Sequence, residues 1–128
     1  MATRTRARRV LVVTQGDNEA LPEAIHERVA RTRAEVLVVT PVESRFSARG
    51  NLKPRAHRVA EERVCRSVQD LRRSGFDAEG IVGDADPARA IADALAVFDA
   101  DVLVVDLDLA PRAPSRVALP IVPLRDAA

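Results

Sequence analysis

The chain has 128 residues, of which 47% are apolar and only 2% aromatic, so it has the size of one domain with a core of aliphatic side chains. Such a core favours helices packed on a buried parallel sheet. The absence of Trp and Tyr argues against a stacking platform for single-stranded nucleic acid. The formal net charge is +1, and the basic end that carries Arg4, Arg6, Arg8 and Arg9 leaves the remainder mildly acidic. We expect residues 1–8 to form a disordered basic tail without a nucleic-acid partner, and residues 9–126 to form a single domain.

The compartment follows from what the sequence lacks. No apolar stretch of the secretory type follows the first arginines, and no run reaches the roughly 20 apolar residues that a membrane span needs. The single cysteine, Cys65, excludes an internal disulfide. These features predict a cytoplasmic protein without a membrane partner.

The first half of the sequence predicts two strands and two helices. The apolar run Val10–Thr14 is typical of a strand buried on both faces, and residues 35–40 repeat its pattern. A helix over 18–31 is predicted between them, because its apolar residues fall four apart. A longer helix over 54–73 follows, with Gly75 as the residue that ends it. The apolar stripes of the two helices are Leu21, Ile25 and Val29, and Ala56, Val59, Ala60, Val64, Val68 and Leu71.

The second half predicts three strands and one helix. Ala78–Val82 is a weak strand, after which Asp86 and Pro87 are a typical N-cap and first helical residue. The inward side of that helix consists of Ala90, Ile91, Ala94, Leu95 and Phe98. Val102–Val105 is a buried strand, and Pro120–Leu124 is expected at a sheet edge, because its prolines cannot donate to a ladder. The element order predicts an α/β fold, a doubly wound parallel five-stranded sheet with helices on both faces.

A ligand site in such a sheet is expected beyond the carboxyl ends of the strands, at the switch in strand order. The residues that follow the predicted strands are short turns, so their side chains should cluster. The candidate cofactor-binding residues are Thr14, Gln15, Gly16, Asp17, Thr40, Gly83 and Asp106, with Arg112 in the last connection.

Three stretches resemble the universal stress protein family: VLVVTQGDNEA, AEVLVVTPVES and IVGDADPARAIADALAVFDADVLVVDLD. They are similar to that family's first strand and turn, its second strand, and its third strand with the following helix and strand. The resemblance covers roughly Arg9 to Asp106 and, weakly, the last strand. It implies the adenine nucleotide alpha hydrolase-like fold and a homodimer formed through the C-terminal edge strand.

The sequence departs from the family where ATP is held. ATP-binding members carry Gly-x2-Gly-x9-Gly-Ser/Thr after the fourth strand, because glycines let backbone N–H groups approach the phosphates closely. Here the segment is DLDLAPRAPSRVALP, without a glycine, and Asp106 and Asp108 bring carboxylates where phosphate oxygens would come. The segment is also too short for a full helix, so the family's fourth helix is expected to be shortened or missing. Gln15 replaces the family's acidic residue after the first strand, so we predict no family-type ATP binding and no bound cofactor.

Two functional hypotheses of different class follow. The first is a degenerate universal stress protein, dimeric, that acts in stress response or signalling through a protein partner. The alternative is a nucleotide-binding stress protein for AMP, ADP or ATP with an altered phosphate site, in which Arg112 and Arg116 hold the phosphate from side chains.

Other reactive residues favour neither catalysis nor metal binding. Helix capping accounts for the presence of Asp86. The acidic residues also do not follow the same strands as the acidic residues of a response-regulator receiver domain do, which argues against a metal site of that kind. His26 and His57 are expected at the surface, and Cys65 beside Val64 as half-buried packing. No nucleophile–base pair is present in the sequence pattern, so no enzyme activity is predicted.

Overall fold

The structure is a computed structural model that describes residues 8–15, 21–22, 25, 34–42, 53–106 and 121–124. Its strands and helices, in chain order, are β1 (Arg8–Val13), β2 (Ala34–Pro41), α1 (Lys53–Arg73), β3 (Asp77–Gly83), α2 (Pro87–Val97), β4 (Val102–Asp106) and β5 (Ile121–Leu124). Leu21, Pro22 and Ile25, from the predicted first helix, are helical. The reduced fourth helix, predicted within 107–120, lies outside the described residues.

The five strands form one parallel sheet in the order β3-β2-β1-β4-β5. This confirms the doubly wound α/β fold and the prediction that the last strand lies at an edge. The predicted strand ends were less accurate. β1 begins at Arg8 rather than Val10 and ends at Val13, so Thr14 follows the strand instead of closing it. The reason is backbone pairing: the ladder between β1 and β2 continues to the pair Arg8–Ala34, although Arg8 is exposed and charged.

The sheet separates two layers of aliphatic core. On one face, even-numbered strand residues pack against α1 and the helical residues Leu21 and Ile25, and on the other, odd-numbered residues pack against α2. The first layer includes Val10, Val12, Val36, Val38, Val64, Val68, Leu71, Val102 and Val104. The second includes Leu11, Val13, Leu37, Val39, Ala90, Ile91, Ala94, Leu103 and Val105. Each fully buried Leu, Ile or Val contributes about 1.5–3 kcal/mol through the hydrophobic effect.

The predicted stripe of α1 is confirmed. Its apolar residues are buried, except Val59, which is half-buried. The helix ends at Arg73 and is terminated by Gly75, whose φ of 94° is in the left-handed region that glycine adopts without steric cost. The N–H of Phe76 donates to the Leu71 carbonyl and that of Gly75 to the Arg72 carbonyl, both at 3.0 Å, which is the Schellman motif.

Because of Gly80, the sequence predicts only a weak strand at β3. The structure explains the presence of this glycine by close packing. A Cβ at this position would lie 2.6 Å from Val64 Cγ2 and 2.8 Å from Val68 Cγ2. Only a residue without a side chain lets α1 approach the sheet this closely, so the glycine is a packing requirement and not a strand breaker.

The start of α2 is also as predicted. The Asp86 side chain accepts a hydrogen bond from the Ala88 N–H at 3.1 Å, and Pro87 is the first helical residue. Of the predicted inward residues, Ala90, Ile91 and Ala94 are buried, whereas Leu95 and Phe98 are half-buried. Neither this helix nor any other in the described part of the chain combines the length and apolarity needed to cross a bilayer.

Candidate functional site

The carboxyl edge of the sheet gathers the predicted site residues that the structure describes. The chain adds β2 and β3 on one side of β1, and then returns to add β4 and β5 on its other side. The strand order therefore reverses between β1 and β4, which is the position where doubly wound sheets bind ligands. The pairs Val13–Val105 and Val13–Val39 place the ends of β1, β2 and β4 at the same level.

Thr14 and Gln15 follow β1 directly at this reversal. The Thr14 N–H donates to the Val39 carbonyl at 3.0 Å, which holds the turn against β2. Thr14 is fully buried and Gln15 is half-buried. Asp106, the last residue of β4, lies on the other side of the reversal, in register with Leu124. The sheet therefore places these three residues at neighbouring strand ends.

Thr40 is the second-last residue of β2, one strand away from the reversal. Its side chain lies on the same face as Val36 and Val38, because strand side chains alternate. The residue is fully buried, and its Oγ1 has no hydrogen-bond partner within the described part of the chain. A buried hydroxyl left without a bond costs about 1–3 kcal/mol, so this oxygen is a place where a ligand atom or water would be stabilising.

Gly83 is at the far side of the edge. It ends β3, which is separated from β1 by β2, and two strand spacings amount to about 10 Å. A Cβ on Gly83 would lie 2.7 Å from Val39 Cγ1 and 2.9 Å from Ala90 Cβ. Its carbonyl accepts the Val42 N–H at 3.1 Å. The close approach of α2 to the sheet accounts for this glycine without a cofactor.

The acidic residues after β3 have local structural roles. Asp84 Oδ1 accepts the Asp86 N–H at 2.8 Å, and Asp86 caps α2. Among the residues that the structure describes, no group of three or more His, Cys, Asp or Glu side chains could hold a metal ion. Three further candidates, Gly16, Asp17 and Arg112, lie outside the described residues, as do Asp108 and Arg116.

Two further reactive side chains, His57 and Cys65, lie on α1. His57 is exposed, as predicted, and its Nε2 lies 2.8 Å from Glu61 Oε1. Cys65 is exposed, so the expectation of half-buried packing was wrong. The neighbouring Val64 faces the sheet, and one residue turns the side chain by about 100° around the helix. His26 is outside the described residues.

One surface feature was not singled out by the sequence analysis. An open cleft of about 250 Å³ lies at the opposite, amino end of the sheet. Its lining residues are Glu35, Val36, Leu37, Asp77, Glu79 and Phe98, and we call it the acidic cleft. The alternation of Asp77 and Glu79 in β3 was a signal for it, but only the pairing of β3 with β2 adds Glu35 to the same place.

Comparison with known proteins identifies the fold. No protein-family model matches the chain, and no curated protein matches it either. Solved structures do match. A universal stress protein from Archaeoglobus fulgidus has a TM-score of 0.71 at 18% identity, over 94% of this chain and 93% of that one. The dAMP complex of the universal stress protein from the same organism has a TM-score of 0.62 at 20% identity, over 95% and 98%.

An Arabidopsis thaliana protein of the universal stress protein family, with AMP bound, has a TM-score of 0.67 at 16% identity, over 94% of this chain and 93% of that one. The class is therefore that of α/β proteins with a five-stranded parallel sheet, and within it this chain has the universal stress protein fold. The resemblance in the sequence correctly predicted this fold. At such identities the likeness concerns the fold, and the function must be argued from the site.

Proposed function

We propose that the chain is a universal stress protein-like module that lacks the family's glycine-based ATP site and acts as a dimer in stress response or signalling. The observation that carries this proposal is at the strand-order reversal. β4 ends there on Asp106, and the sequence from 107 to 120 contains no glycine. An aspartate brings negative charge to the edge where a triphosphate needs N–H donors, and without glycines the backbone cannot approach it closely.

Protein contact is supported by the position of β5. This strand pairs with β4 and lies at the edge of the sheet, so one side of its backbone has no partner strand in the described sheet. Such an edge pairs readily with another chain. The dimer predicts a mass of twice 13.9 kDa in sedimentation equilibrium. A monomer at all concentrations tested would contradict this part of the proposal.

A second candidate, a site for a nucleoside monophosphate, is favoured by Thr40. Its buried Oγ1 has no hydrogen-bond partner among the described residues, and it lies beside the turn that carries Thr14 and Gln15. Two similar structures contain AMP and dAMP. A monophosphate requires fewer donors than a triphosphate, so the absence of glycines after β4 weighs less against it.

Thermal unfolding with added nucleotide separates the two candidates. ATP, ADP, AMP and cyclic AMP are added separately at millimolar concentration with Mg²⁺, and a ligand at about 100 times its Kd should stabilise the protein by about 2.7 kcal/mol, or several degrees. We expect no shift with any of them. A shift with AMP that disappears in Thr40→Val would support the second candidate. A comparable shift with ATP would contradict the absence of a triphosphate site.

A further inference from the structure

The acidic cleft lies at the end of the sheet opposite the candidate nucleotide site. Glu35 and Leu37 of β2 pair in register with Asp77 and Glu79 of β3. All four are odd-numbered, so they share the face on which α2 packs, and Phe98 follows the last turn of that helix. The cleft thus combines three carboxylates with an aliphatic and an aromatic side chain.

The carboxylates of the cleft are incompletely paired. Asp77 and Glu79 are exposed, and neither has an ion-pair partner among the described residues. The cleft is not suited to a metal ion, because no group of three or more potential ligands in the described residues could hold one. Carboxylates beside an aromatic ring suit a guanidinium group, which is planar, always charged and stacks on rings.

Arg9 already shows this mode of binding at the border of the cleft. Its Nε lies 3.2 Å from Glu35 Oε2, and its guanidinium carbon is 5.9 Å from the centre of the Phe98 ring. The Arg9 backbone is held by Asp101, whose Oδ2 accepts the Arg9 N–H at 2.9 Å and whose N–H donates to the Arg9 carbonyl at 2.7 Å. Arg9 therefore occupies the Glu35 side and leaves the Asp77 and Glu79 side to another cation.

One source of such a cation is the segment that precedes β1. β1 begins at Arg8, which pairs with Ala34, so residues 1–7 join the sheet one residue from Glu35. Their sequence, MATRTRA, contains Arg4 and Arg6 and no acidic residue. Seven extended residues span up to about 23 Å, whereas β3 is two strand spacings, about 10 Å, from β1. Both arginines can reach the cleft without disturbing the sheet.

We propose that residues 1–7 dock in the acidic cleft of their own chain, with the guanidinium groups of Arg4 and Arg6 on the carboxylates of Asp77 and Glu79. The segment then covers Phe98 and connects β1 to the edge strand β3 at the amino end of the sheet. Because the segment is covalently attached, its effective concentration at the cleft is in the millimolar range, so ion pairs of ordinary strength are sufficient to hold it there. Salt weakens the docking, because the pairs are at the surface and the screening length is about 10 Å at 0.1 M ionic strength.

Limited trypsin digestion of the full chain tests the proposal. The initial rates of cleavage after Arg4 and Arg6 are measured by mass spectrometry at low salt, in the wild type and in Asp77→Asn/Glu79→Gln. We expect cleavage in the variant to be about fivefold faster, the factor expected from two exposed ion pairs. A matched control, Glu62→Gln/Asp93→Asn, removes the same charge from exposed positions on α1 and α2 and should cleave at the wild-type rate. Equal rates in the wild type and the cleft variant would overturn the proposal.

Protein concentration and a second readout complete the test. If protection of Arg4 and Arg6 rises with protein concentration, the segment of a second copy fills the cleft, and docking within one chain is wrong. In parallel, Arg4→Gln/Arg6→Gln should shift the amide NMR signals of Asp77 and Glu79, whereas Arg55→Gln/Arg58→Gln, exposed on α1, should not. This readout requires no protease, and unchanged Asp77 and Glu79 signals in the first variant would also overturn the proposal.

Discussion

At the scale of single residues, substitution of Thr40 tests whether its buried hydroxyl has a hydrogen-bond partner. Thr40→Val removes a buried oxygen that has no partner in the described part of the chain. We expect the free energy of unfolding of the ligand-free protein to be unchanged, or to rise by up to about 2 kcal/mol, in urea denaturation. The same change at Thr14, equally buried but with a bonding partner, should cost about 1 kcal/mol. Equal losses in both variants would mean that the Thr40 hydroxyl is bonded.

Gly80 gives a second prediction at this scale. Gly80→Ala brings a methyl group within 2.6 Å of Val64 Cγ2 and 2.8 Å of Val68 Cγ2, so α1 or β3 must move. We expect a loss of about 1–3 kcal/mol in denaturant unfolding. Because Val64→Ala removes one of the opposing methyl groups, the double variant Val64→Ala/Gly80→Ala should lose less than the two single losses together. Strict additivity would contradict the steric explanation.

At the scale of elements, helix α2 depends on a cap that the sequence predicted correctly. Asp86→Ala removes the acceptor of the Ala88 N–H, and we expect it to cost about 1 kcal/mol of unfolding free energy. Asp86→Ser keeps a capping oxygen and should remain close to the wild type. Chemical denaturation of the three proteins measures both effects. A loss in the serine variant as large as in the alanine variant would show that capping is not the role of Asp86.

The ends of the elements show what local patterns could not predict. The cap of α2 and the glycine that ends α1 are local signals, because capping and left-handed backbone geometry involve residues adjacent in sequence. The start of β1 is not local. Arg8 is charged and exposed, yet it belongs to the strand because its backbone pairs with that of Ala34 in β2. Strand limits depend on the partner strand, and a single sequence does not contain that register.

At the scale of the whole molecule, both faces of the sheet share the same strands. Leu71 belongs to the layer under α1 and Ile91 to the layer under α2, and both are fully buried. We expect Leu71→Ala and Ile91→Ala each to cost about 2–5 kcal/mol, in one cooperative transition for each variant. Calorimetry and circular dichroism should agree on that transition. Two separate transitions in either variant would show that the layers fold independently.

The positions of some residues of the candidate site could be predicted from the sequence, and that of Gly83 could not. The expectation that ligands bind beyond the carboxyl ends of the strands pointed to Thr14, Gln15 and Asp106, and the sheet brings these positions to the reversal between β1 and β4. Gly83 was selected by the same reasoning, but its backbone lies two strands from β1 and the packing of α2 explains it. A glycine required for close packing and a glycine required by a ligand look identical in one sequence, since both are positions where a Cβ does not fit.

By itself, the sequence determined the fold class, the number of strands and their order along the chain, the apolar stripes of α1 and α2, and the caps that begin α2 and end α1. These features follow from hydrophobic periodicity and from residues close together in the chain. Only the tertiary structure decided the strand limits, the burial of the Thr40 hydroxyl and the assembly of the acidic cleft from β2, β3 and the end of α2. Those depend on which distant residues lie opposite one another, and strand pairing and helix packing set that in three dimensions.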